Sequence, residues 1–174
     1  VRIVDTEGVR DAVVGVLDRI PDPVFARLRD AYGRAHPGGA AQRVLAPLVS
    51  VSRHRRLPVD DFTLGGFPEI RLEGSDSLVA KLLYWYGAGG YEGAEATYWR
   101  RACANATSVL ELGANIGYYT VQGASANPRC RYRTVEPHPV SAAAVRRNLA
   151  RNGLLNVEVV EAAAVGRRGL RPME

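Results

Sequence analysis

An acid, two glycines and a second acid stand at a spacing that suggests ligand chemistry. They are Glu111-x-Gly113-x-x-x-Gly117 and, 23 positions after Gly113, Glu136. A glycine after a buried strand lets the backbone turn sharply and come close to a ligand. In an open parallel sheet, ligands bind at the carboxyl ends of the strands. An acid at the tip of the neighbouring strand can accept hydrogen bonds from both hydroxyls of a ribose. That step suits any adenosine ligand, so the glycines must separate the ligand classes. A dinucleotide turn asks for G-x-G-x-x-G, with the diphosphate on the helix N-terminus. Counted from Gly113, its second and third glycine positions hold Asn115 and Tyr118. A nucleotide- or dinucleotide-binding oxidoreductase domain, the first alternative, therefore lacks two of its three glycines. The bland readings are a turn that is mere topology and a Glu136 that is a surface acid.

What remains, Glu-x-Gly-x-x-x-Gly, resembles the first motif of class I S-adenosylmethionine-dependent methyltransferases. That cofactor carries no phosphate. Its ammonium and sulfonium suit an acid at the strand end, where Glu111 stands. Further stretches narrow the resemblance. They are Gly113-Ala114-Asn115-Ile116-Gly117-Tyr118-Tyr119, Glu136-Pro137-His138-Pro139, Asn148-Leu149 with Asn152-Gly153, and Ala163-Ala164-Val165-Gly166. With Tyr91-Glu92 upstream, they are similar to the FkbM family of methyltransferases over residues 87–166. Residues 1–75 match nothing in that pattern.

The resemblance implies S-adenosylmethionine as cofactor and a small-molecule acceptor, a sugar or secondary-metabolite hydroxyl methylated on oxygen. It implies that Glu111, Gly113, Ala114, Asn115 and Gly117 line the methionine end. Glu136 would hold the ribose, with Pro137 and His138 at the adenine edge. Glu161 and Ala162 would meet the adenine ring, and Tyr91 and Glu92 would close over the cofactor. His138 is equally readable as a helix N-cap, and Tyr118 and Tyr119 as core. His36, His54 and His138 are the visible bases; none has a motif behind it, so no catalytic residue is named. No metal site is expected.

These residues need elements to position them. Ser108–Leu112 reads as a short buried strand, residues 113–117 as a tight turn and 116–126 as a helix. Residues 132–136 read as a second strand, 137–152 as a helix closed by Gly153, and 157–161 as a third strand. Strand and helix alternate, which implies parallel pairing with right-handed crossovers. Upstream, Val9, Ala12, Val13, Val16, Leu17 and Ile20 recur at helical spacing. Asp22 and Pro23 suggest an N-cap and first-position proline for a helix with Val24, Phe25, Leu28, Ala31 and Tyr32 on its apolar face. Residues 40–49 suggest a shorter helix, 62–72 a hairpin or two short strands, 78–86 a helix capped by Ser75 or Asp76, and 94–104 another.

The expected fold is thus α/β. It is a Rossmann-like class I methyltransferase sheet, cut after its third strand, with a helical N-terminal appendage. The expected division is 1–75 and 76–174, with Val9, Val13, Leu17, Phe25 and Leu28 buried. The tail from Arg167 to Glu174 reads as a cut through a domain, which keeps a non-catalytic truncated binding module as a second alternative. Composition agrees with a globular chain: 174 residues, 47% hydrophobic and 24% charged. That excludes wholesale disorder, collagen and coiled coil. The net charge of +5 suits an anionic ligand without demanding nucleic acid. Arg53-His54-Arg55-Arg56 reads as a solvated connection. No apolar run is long enough for a membrane span and no signal core opens the chain, so a cytoplasmic protein is expected. Cys103 and Cys130 could pair but make no disulfide framework. A homodimer through the N-terminal helices is an open expectation.

Overall fold

The computed structural model describes residues 15–16, 19–35, 39–52, 56–57 and 59–164. Val9, Val13, Leu17, His36, His54 and the Arg167–Glu174 tail lie outside the described residues. The chain forms two compact units, Val1–Gly93 and Ala94–Glu174.

In the first unit, α1 (Asp22–Arg34) follows Pro21, which is its N-cap residue, so Asp22 is the first helical residue rather than the cap. An acid there suits the helix dipole. Phe25 is buried, Leu28 and Tyr32 are half-buried, and Val24 and Ala31 face solvent, so the buried stripe is narrower than the spacing suggests. α2 (Ala40–Ser52) contains Pro47 and buries Val49. β1 (Asp61–Leu64) and β2 (Phe67–Glu73) form the expected antiparallel hairpin around Gly65-Gly66. Phe62, Leu64, Ile70 and Leu72 make its buried side.

α3 (Leu78–Tyr86) starts at Ser77, whose side chain makes no capping bond; neither Ser75 nor Asp76 occupies the cap position. Its Tyr84 meets Phe62 edge-on at 5.4 Å and its Trp85 meets Phe25 at 6.1 Å. Those ring contacts bind α3 to the hairpin and α1. The first unit ends at Gly93. A 3-10 turn, Gly87–Gly90, follows, and the Ala88 N–H donates to the Gly65 carbonyl at 2.8 Å.

The second unit holds α4 (Gly93–Ala104, its first residue at the division), β3 (Ser108–Leu112), α5 (Tyr118–Ala126), β4 (Arg131–Val135), α6 (Pro139–Arg151) and β5 (Val157–Val160). The strands are parallel in the order β3-β4-β5, each joined to the next through a helix. This is a Rossmann-like βαβαβ arrangement. Tyr132, Ala124 and Cys103 form a buried cluster against Trp99, Val109 and Val157. Cys103 and Cys130 are both free and buried, and burial pushes the Cys103 thiol up to about 11, so it stays protonated at neutral pH. Parallel strands are usually covered on both faces. Here Leu110 is 62% exposed, on the same face as the exposed Arg133–Glu158 ion pair. Among the described residues no helix is long and apolar enough to cross a membrane.

Candidate functional site

The register brings the strand ends level. Leu112 pairs with Val135, and Val135 with Val160. The next residue on each strand is Gly113, Glu136 or Glu161, so the candidate residues collect at one edge of the sheet for a topological reason.

The glycine turn is fixed by its own backbone. Gly113 takes φ +81° and its N–H donates to the Val135 carbonyl at 2.8 Å; the Ala114 N–H reaches the same oxygen at 3.4 Å. Asn115 takes φ +53°, a left-handed conformation that Asn tolerates better than most residues. Its N–H donates to Glu136 Oε2 at 2.7 Å. The Gly117 N–H donates to the Ala114 carbonyl at 2.8 Å. Gly117, at φ +82°, lies against α6: a Cβ there would sit 3.3 Å from Val145 Cα. One turn along, buried Asn148 donates from Nδ2 to the Ile116 carbonyl at 2.7 Å.

Glu136 is 7% exposed. Its Oε1 accepts the His138 N–H at 2.9 Å, so each carboxylate oxygen holds one amide and keeps further lone-pair capacity. His138 is the N-cap residue of α6, its side chain makes no capping bond, and it is exposed. Pro137 is half-buried. Glu161 and Ala162 are exposed, and Glu161 pairs with Arg146 at 3.1 Å. Tyr118 is core and Tyr119 is half-buried, its ring edge-on to Trp99 at 6.0 Å.

Glu111 is turned to the interior. Thr120 Oγ1 donates to its Oε2 at 2.8 Å, and the Tyr132 hydroxyl donates to the same oxygen at 2.7 Å. Burial holds the Glu111 carboxyl above the usual carboxylate range, against the opposing pull of these hydroxyls. Burial and the adjacent Glu111 push the Tyr132 phenol far up, so the phenol stays a proton donor. Thr120 and Tyr132 are site residues that the motif does not contain. Their signal in the sequence is a polar group at an inward position of a helix and of a strand. Tyr91 and Glu92 lie in the first unit, after the 3-10 turn; Glu92 takes φ +45°, and burial followed by the Glu92 carboxylate raises the Tyr91 phenol.

The turn can be tested for the group it would hold. A Cβ on Gly113 would meet no atom within 4 Å, so the space over this residue is open. The Gly113, Ala114, Asn115 and Gly117 N–H groups are all committed inside the protein. A diphosphate held on these four amides would have to displace those bonds. A phosphate-free adenosyl cofactor needs the open space and the acid, and both are present.

No protein-family profile matches this sequence. No curated protein matches it either. Among solved structures, it is similar to the crystal structure of the SAM-dependent methyltransferase from Agrobacterium tumefaciens, at 13% identity and a TM-score of 0.45. The match covers 59% of this chain and 32% of that one, so the chain spans about a third of that protein.

Proposed function

We propose that this chain carries the cofactor-binding part of an S-adenosylmethionine-dependent methyltransferase, FkbM-like, acting on a hydroxyl of a sugar or secondary metabolite. One observation carries the reading. At the end of two parallel strands, a glycine with open space above it adjoins a buried acid, Glu136, that keeps lone pairs over.

When bound, the cofactor supplies an electrophilic methyl carbon whose sulfur departs as a neutral thioether. The residues of this chain bind and orient. Gly113 to Gly117 support the methionine end from below. Glu136 accepts the ribose hydroxyls on lone pairs that Asn115 and His138 leave over. Pro137, His138, Glu161 and Ala162 border the adenine side. Alignment of acceptor and methyl carbon within the bound complex lowers the barrier to such a displacement.

Calorimetric titration with S-adenosylhomocysteine, and separately with a nicotinamide dinucleotide, tests the reading. Binding of the first and not the second is expected. Binding of the dinucleotide, or of neither, would overturn it.

A further inference from the structure

The glycine turn is a short loop with two stems, β3 before it and α5 after it. Glu111 stands on the first stem, two residues before Gly113, and Thr120 on the second, three after Gly117. The 2.8 Å hydrogen bond between them ties the stems together. The Tyr132 hydroxyl adds β4 to the same carboxylate oxygen at 2.7 Å. Three residues beyond Tyr132, the Val135 carbonyl receives the first two amides of the turn. One buried carboxylate thus joins every strand and helix from which the turn hangs. Hydrogen bonds to an ionised acceptor are the stronger kind, and a buried carboxylate without them is costly.

We propose that Tyr132 and Thr120 are positioning residues for the glycine turn. Their hydroxyls pin the Glu111 carboxylate inside the sheet, and through it they hold the stems at the separation the turn needs. Glu111 then serves the ligand site by bracing it, rather than by facing a ligand amine. The proposal rests on the methyltransferase reading only for the ligand that reports it.

The test uses Tyr132→Phe, Thr120→Val and Thr120→Ser in the whole chain. The readouts are S-adenosylhomocysteine affinity by calorimetry, amide exchange at residues 113–117, and the urea midpoint. Tyr132→Phe and Thr120→Val should each weaken affinity about threefold to tenfold. Both should speed exchange at the turn beyond what the midpoint change accounts for. Thr120→Ser, which keeps the hydroxyl, should restore both readouts. Unchanged affinity and unchanged local exchange, with only a lower midpoint, would overturn the proposal and leave the cluster as core. If the native protein binds no S-adenosylhomocysteine, the methyltransferase reading fails, and exchange alone decides. Acceleration confined to 113–117 then supports the brace, and acceleration spread in proportion to lost stability overturns it.

Discussion

Glu136 Oε2 accepts the backbone N–H of Asn115 at 2.7 Å, so the acid expected to meet a ribose also holds the left-handed residue of the turn. On the proposed reading its loss should be felt both in the turn and in ligand binding. Glu136→Ala should weaken S-adenosylhomocysteine binding by about 1.5–3 kcal/mol, the range for a charged hydrogen-bond acceptor. Calorimetry on the two proteins measures it. An unchanged affinity would make Glu136 a purely structural acid.

The two glycines of the turn should respond differently to the same substitution. Gly117→Ala adds a Cβ at φ +82° against Val145 and should cost about 2–4 kcal/mol of stability, read from urea denaturation. Gly113→Ala keeps only the backbone penalty of about 1–2 kcal/mol, because its Cβ enters open space. That space is where the ligand is expected, so Gly113→Ala should lose proportionately more affinity than stability. Equal effects at both positions would argue against a ligand over Gly113.

The raised carboxyl of Glu111 makes stability depend on pH with a definite sign. Burial disfavours the ionised form in the folded protein, while the unfolded chain titrates near the ordinary value of 4.5. Below that value both states hold the proton and the burial penalty is absent. As pH rises through the folded value, the unfolded chain has already released its proton and stability falls. Glu111→Gln cannot titrate. The wild-type stability minus that of Glu111→Gln should therefore decline from acid pH towards neutrality. A flat difference, measured by urea denaturation across that span, would mean the carboxyl is not perturbed.

Asn148 carries no charge, and its amide holds the Ile116 carbonyl from a fully buried position. Asn148→Ala should destabilise the protein by about 1–3 kcal/mol, since that carbonyl loses its buried partner. Asn148→Asp should be worse at neutral pH, because it sets an acceptor against an acceptor. A neutral result for either in denaturation would show that the turn does not lean on α6.

Much of the second unit was legible from local pattern. The three strands fall within a residue of their expected limits because each sets apolar or β-branched residues among its polar ones and is followed by Gly113, Glu136-Pro137 or Glu161. The Glu111-to-Gly117 spacing located the turn because only certain residues tolerate its backbone angles. Orientation was harder to read. Glu111 has the same one-letter pattern whether its carboxylate faces a ligand or the interior; Thr120 and Tyr132 decide this, and both act through tertiary contact. The first unit was less legible. The pattern over 78–86 names a helix but not its partners; the ring contacts of Tyr84 and Trp85 with Phe62 and Phe25 draw α3 into the first unit.

The partners of the turn lie well downstream: Glu136 is 21 residues from Asn115, and Asn148 is 32 from Ile116. Residue type permits the left-handed angles at Asn115 and Gly117, but the distant hydrogen bonds that hold the turn form only when β4 and α6 dock on β3. In kinetic terms these residues should have low φ-values and become native late, after the sheet has nucleated. A ligand of the turn would then leave the refolding rate unchanged and appear entirely as slower unfolding.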